Sequence, residues 1–75
     1  MIGDIKLFAG NFAPQGWALC NGAILSIMQN QALFAVIGTT YGGNGETNFM
    51  LPNLPGVENE GSPATVNYLI ETQGD

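Results

Sequence analysis

Residues 17–25 read Trp17-Ala-Leu-Cys-Asn-Gly-Ala-Ile-Leu25, two short apolar runs on either side of Asn21-Gly22. Asn-Gly accepts positive φ at both central positions of a type I′ turn, whose twist suits two antiparallel strands. The stretch therefore predicts a β-hairpin, 17–20 against 23–25. Trp17 and Leu19 would face one side, Ala18 and Cys20 the other.

Working outward, residues 2–9 (IGDIKLFA) place Ile5, Leu7 and Ala9 on one side and Asp4, Lys6 and Phe8 on the other. That period of two is the pattern of a strand. Residues 10–16 (GNFAPQG) read as loop. On the far side of the hairpin, residues 27–37 (IMQNQALFAVI) predict a helix, and 32–37 are apolar on every face, as in a buried one. Ser26 and Gln29 fit an S-x-x-Q capping box and Gly38 a C-terminal stop. On this reading Ser26→Ala costs about 1 kcal/mol. Residues 39–48 are expected to be irregular, Phe49-Met-Leu51 a short apolar bead before Pro52-Asn-Leu-Pro55, and 56–63 a polar loop. Residues 64–72 alternate again, with Val66, Tyr68 and Ile70 on one face, Tyr68 turned inward, and Thr65, Asn67 and Glu71 on the other. The fold class is α+β in a single domain over residues 1–75. A small antiparallel sheet from the N-terminal strand, the Asn-Gly hairpin and the C-terminal strand carries one buried helix, with long irregular Gly/Pro loops.

The chain has 75 residues, a net charge of −5, one lysine, no arginine, no histidine and one cysteine. A domain of this size buries only about 60% of its unfolded surface, and its core supplies about 3–5 kcal/mol. Small chains add disulfides, a metal or self-association. Cys20 alone makes no intrachain disulfide, and without His a zinc or iron site lacks its usual donors. Association with copies is what remains. A single basic side chain excludes nucleic acid as a ligand, since phosphate binding needs several. The same deficit disfavours an anionic membrane surface, and no apolar run is long enough to span a bilayer. Residues 1–4 show neither the basic start nor the apolar stretch of a signal peptide.

Candidate chemistry is thin. Tyr41-Gly-Gly-Asn-Gly45 has closely spaced glycines, but Glu46-Thr47 follows where a phosphate loop places Lys and then Ser or Thr. A tight structural loop is the preferred reading. Glu58-Asn-Glu60 falls short of a Ca²⁺ loop. Glu46, Glu58 and Glu60 show no spacing that singles out a glycosidase pair. Ser26, Ser62 and Cys20 would need a base that no histidine supplies, so Cys20 reads as a small core residue and the chain as a non-enzyme with no cofactor or metal. Phe12, Trp17, Tyr41 and Phe49 offer an aromatic surface to a glycan or small ligand, and Asn44 adds an amide from the Gly-rich loop. These five are the candidate ligand or partner contacts.

Several blocks together resemble the phage tail collar domain, a family that includes proteins labelled microcystin-dependent. They are Ile2-Gly-Asp-Ile5, Phe8-Ala-Gly-Asn-Phe-Ala-Pro-Gln-Gly-Trp17, Leu19-Cys-Asn-Gly22, Ala32-Leu-Phe34, Ile37-Gly-Thr-Thr-Tyr-Gly-Gly-Asn-Gly45 and Phe49-Met-Leu-Pro-Asn-Leu54. Val66-Asn-Tyr-Leu-Ile70 with Gln73-Gly74 is similar to the segment that closes longer members. Those members carry an arginine and a Gly-rich, His-containing insertion after the Leu-Pro-Asn-Leu element, where Pro55-Gly-Val-Glu-Asn-Glu60 stands here. Met28 occupies a position where relatives commonly place serine. The resemblance implies a structural, interacting module of a phage tail fibre or a phage-derived contractile apparatus. It further implies a trimer, assembled in the bacterial cytoplasm and carried in the virion tail, with other tail or baseplate subunits as partners. A free-standing oligomeric protein that binds a small molecule or glycan is the alternative.

Overall fold

A computed structural model describes residues 1–58 and 65–73. Its elements are β1 (Ile5–Phe8), β2 (Trp17–Leu19), β3 (Ile24–Ser26), α1 (Gln31–Ile37), β4 (Asn48–Met50), β5 (Val57–Glu58) and β6 (Thr65–Glu71). The α+β class expected from the sequence is what forms, but as two small antiparallel sheets.

The longest strand, β6, organises the first sheet. Its Thr65-Val-Asn-Tyr-Leu-Ile-Glu71 is rich in β-branched and aromatic side chains, which suit a pleated, half-buried surface. β1 runs along one edge of β6, pairing Ile5 with Ile70 and Leu7 with Tyr68. β2 and the two-residue β5 run along the other, pairing Ala18 with Ile70 and Val57 with Val66. Directly paired residues share a face, so Ile5, Leu7, Ala18, Tyr68 and Ile70 line one side of the sheet. Lys6, Leu19 and Leu69 line the other. In the second sheet β3 pairs with β4, Leu25 opposite Phe49.

The predicted 17–25 hairpin does not form. β2 bonds to β6 and β3 to β4, so the Asn-Gly turn hands the chain from one sheet to the other. Among the described residues none but glycine has positive φ, and Gly22 has φ of 79°, so the turn is not type I′. The Asn21 side chain instead accepts the N–H of Ala23 at 3.1 Å. The main chain on either side is claimed by residues 52–54: Gly22 N–H donates to the Pro52 carbonyl and Leu54 N–H to that of Cys20. The local turn preference lost to two longer-range pairings.

The helix is shorter than the predicted 27–37. Ile27 N–H donates to the Thr47 carbonyl at 3.0 Å, which extends the β3–β4 ladder and keeps Ile27 out of helical conformation. Residues 27–30 then form a turn in which Ser26 Oγ accepts the Gln29 N–H at a long 3.4 Å. Ser26 is therefore not the helix cap. Asn30 holds that position without capping the helix through its side chain, whose Nδ2 donates to the Ser26 carbonyl instead, and Gly38, at φ 56°, ends the helix as expected. The helix is also less enclosed than predicted. Leu33 is fully buried, but Val36 on another face is 60% exposed, because the sheets cover one side only. Two further segments expected as irregular are strands: residues 48–50, recruited as β4 by the partner-free β3, and Val57–Glu58, recruited by β6.

The core lies where both sheets meet the helix. It consists of Cys20, Leu33, Phe49, Leu51 and Ile70, with Ala18, Leu25, Phe34, Ile37 and Tyr68 packed around it. The Phe34 and Phe49 rings sit 5.3 Å apart at a tilt. Cys20 is a buried free thiol, as read from the sequence.

Candidate functional site

The feature that demands explanation is apolar surface left uncovered in so small a chain. Ile5 is 41% exposed and Leu7 51%, although both sit on the core-facing side of the first sheet. Among the described residues β1 is that sheet's outer strand. The Asp4 carbonyl accepts the Glu71 N–H at 2.8 Å. The alternation of an antiparallel ladder therefore turns the main-chain N–H and C=O groups of Ile5 and Leu7 away from β6. An unpaired edge with apolar side chains is a template for further pairing unless something covers it. Exposed Val36 lies beside the start of this strand, since a Cβ placed on Gly3 would meet Val36 Cγ1 at 2.8 Å.

The opposite face of the sheet is closed by the chain's single basic side chain. Lys6 Nζ lies 4.2 Å from the Trp17 ring centroid, a cation–π contact of about 0.5–1 kcal/mol. Beneath it Leu69 is fully buried, with Lys6 and Leu19 as its neighbours in register. At the end of β6 Glu71 is buried, and its Oε1 lies 2.7 Å from the Met1 ammonium.

The five candidate contact residues occupy separate environments. Phe12 is 59% exposed and packs edge-to-face on Phe8 at 5.5 Å. Trp17 lies under Lys6 on the outer face of the sheet, while Phe49 is wholly enclosed in the core on the other side. Tyr41 is 46% exposed. Asn44 is an internal strut: its Oδ1 accepts the N–H groups of Glu46, Thr47 and Asn48 at 2.8, 2.9 and 3.1 Å, and its Nδ2 donates to Thr47 Oγ1 at 3.0 Å. The loop N–H groups that a phosphate would need are thus engaged internally, which favours the structural reading of 41–45.

Clefts among the described residues include two shallow ones. One, of about 230 Å³, is lined by Asn21, Asn53, Asn67 and Tyr68 among others; the second, of about 340 Å³, runs between Ser26–Gln31 and Glu46–Thr47. Neither is lined by Trp17 or Tyr41. Among the described residues no three His, Cys, Asp or Glu side chains converge to hold a metal. Glu60 and Ser62 lie outside the described residues. Burial pushes the Cys20 thiol pKa above its ordinary value, the opposite of what activates a nucleophile. No helix among the described residues is long and apolar enough to cross a membrane.

The exposure of Val36, the uncovered Ile5 and Leu7 and the role of Asn44 were not foreseen from the sequence. The signals were present. A helix apolar on all faces, in a chain too small to surround it, must expose one of them. An Asn ahead of Gly-Glu-Thr-Asn can gather the following N–H groups.

A small α+β scaffold with an open apolar edge, and with its polar loop groups tied up internally, is the anatomy of an assembly module. The chain matches the phage tail collar domain over residues 3–58 and belongs to that family. Membership makes it a structural module of a phage tail and a component of the virion tail. The matched stretch stops before β6, the strand on which β1 and β2 both depend. No curated protein matches the chain.

Proposed function

We propose that this chain is a structural and partner-binding module of a phage tail fibre, or of a phage-derived contractile tail apparatus. It works as a homotrimer, is assembled in the bacterial cytoplasm, and contacts neighbouring tail or baseplate subunits. The observation that carries the reading is the open β1 edge, with Ile5 and Leu7 uncovered on the core side of the sheet. Trimeric order comes from the family resemblance; the need to cover apolar surface comes from this chain. Phe12 and Tyr41, both exposed, are proposed as further contacts. The microcystin-dependent subtype and the loss of a tip insertion belong to the same proposal. The test is to tag the chain and locate it in purified tail particles by electron microscopy. Label at a fixed position on the tail supports the role, and tail particles lacking it overturn the role.

A second reading, a free-standing oligomer that binds a glycan or small molecule, draws on the amide-rich cleft formed by Asn21, Asn53, Asn67 and Tyr68. Amides pair with sugar hydroxyls as both donors and acceptors. Calorimetric glycan binding lost on Tyr68→Phe or Asn53→Ala, with the fold intact, would favour it.

A further inference from the structure

Two Asn-Gly dipeptides occur, Asn21-Gly22 and Asn44-Gly45. Asn-Gly is chemically labile because glycine, lacking Cβ, lets its nitrogen reach the preceding side-chain amide. The Gly N attacks Asn Cγ, a new N–Cγ bond forms, and the Cγ–Nδ2 bond breaks. Ammonia leaves with the proton lost by the Gly nitrogen. Water then opens the five-membered succinimide at either carbonyl, leaving Asp or isoaspartate. The reaction needs a free Gly nitrogen and an Asn side chain able to swing over it.

The fold treats the two sites unequally. Asn44 is held at its main-chain N–H and at both polar atoms of its side chain. Its main-chain N–H donates to Asn48 Oδ1 at 2.9 Å, its Nδ2 donates to Thr47 Oγ1 at 3.0 Å, and its Oδ1 accepts three N–H groups. The would-be nucleophile, Gly45 N, donates to the Asn48 carbonyl at 3.0 Å. The three donors on Oδ1 would stabilise an oxyanion there. That benefit begins only after attack, whereas the side chain must first leave all of its partners to reach Gly45 N. At Asn21 the restraint is lighter. Oδ1 accepts one N–H, that of Ala23 at 3.1 Å, and among the described residues Nδ2 has no partner. The Gly22 nitrogen donates to Pro52 O at a longer 3.2 Å.

We propose that Asn21 is a site of spontaneous deamidation in the folded protein, and that Asn44, the same dipeptide, is protected by its loop. This goes beyond the tail-module function and does not depend on it. The consequence falls on the junction between the sheets. Asn21 bridges to Asn53 across the gap and lines an otherwise uncharged cleft. Aspartate places a carboxylate there, and isoaspartate also adds a backbone carbon to the linker joining β2 and β3. The isoaspartate form should therefore loosen the flanking bonds of Gly22 to Pro52 and Leu54 to Cys20.

The test incubates the folded protein at mildly alkaline pH and follows both peptides by mass spectrometry, with a urea-unfolded sample in parallel. In urea the two sites should react at comparable rates. In the folded protein Asn21 should gain one mass unit at least about tenfold faster than Asn44, which corresponds to about 1.4 kcal/mol of extra local opening at Asn44. Hydrogen exchange at Gly22 and Leu54 should speed up in the isoaspartate fraction. Asn44→Asp, which keeps an acceptor for the three loop N–H groups and leaves Asn21 in place, should keep the Asn21 rate unchanged. Equal rates in the folded protein, faster reaction at Asn44, or no reaction at Asn21 while the urea sample reacts would each overturn the proposal.

Discussion

Asn44→Ala removes one side chain from an exposed loop, yet the structure assigns it a large effect. Four hydrogen bonds end on that amide: the N–H groups of Glu46, Thr47 and Asn48 and the hydroxyl of Thr47. At about 0.5–1.5 kcal/mol each the upper sum is about 6 kcal/mol. Because the loop is exposed, water takes over much of the released pairing, and the expected loss is about 2 kcal/mol. Against a total of about 3–5 kcal/mol for a chain of this size, that is a large fraction. Asn44→Asp separates the mechanism from simple loop damage. The carboxylate still accepts the three N–H groups and loses only the donation to Thr47, so its cost should stay within about 0.5 kcal/mol. The assay is urea unfolding at one fixed protein concentration, since self-association would otherwise shift the midpoint. The same loss in both variants, or none in Asn44→Ala, would refute the strut.

Glycine substitutions should divide by position. Gly43→Ala brings Cβ to 2.4 Å from the Phe49 Cα at φ 99° and should prevent folding, whereas Gly38→Ala meets nothing within 4 Å and should cost only about 1 kcal/mol. Circular dichroism of the two variants checks this. Ser26→Ala should cost less than about 0.5 kcal/mol in a urea melt, because the hydroxyl accepts only one long bond in an exposed turn. A loss of about 1 kcal/mol would restore the helix-cap role. Burial raises the Cys20 thiol pKa above its ordinary 9.0. The folded state then binds the proton more tightly than the unfolded chain, so stability should hold below pH 9.0 and fall as pH rises through the folded pKa. Alkylation of Cys20 in the native protein should be correspondingly slow until urea is added.

Alternation made β1 and β6 legible, because a period of two survives whichever strand becomes the neighbour. What alternation does not encode is the neighbour itself. Asn21-Gly22 carried a sound local preference, but β6 offered β2 a longer strand and residues 48–50 offered β3 a partner, and the turn adapted. The helix start failed for a related reason: a ladder bond from Ile27 to Thr47, twenty residues away in sequence, outcompeted a capping box. Among the candidate contacts, Phe12 and Tyr41 lie at the surface. Phe49 is core because its pairing with Leu25 aims it there. The open edge was hidden because Ile5 and Leu7 look like ordinary inward residues until the width of the sheet is known.

Those two residues lead to the central claim, that the chain covers its apolar edge with copies of itself. The direct measurement is the solution mass by light scattering at micromolar concentration, for the chain and for Leu7→Lys. A homotrimer gives a species three times the 7.9 kDa chain mass, falling to the single-chain mass in Leu7→Lys with the strand signal retained. A stable, folded monomer of the unaltered chain would contradict it.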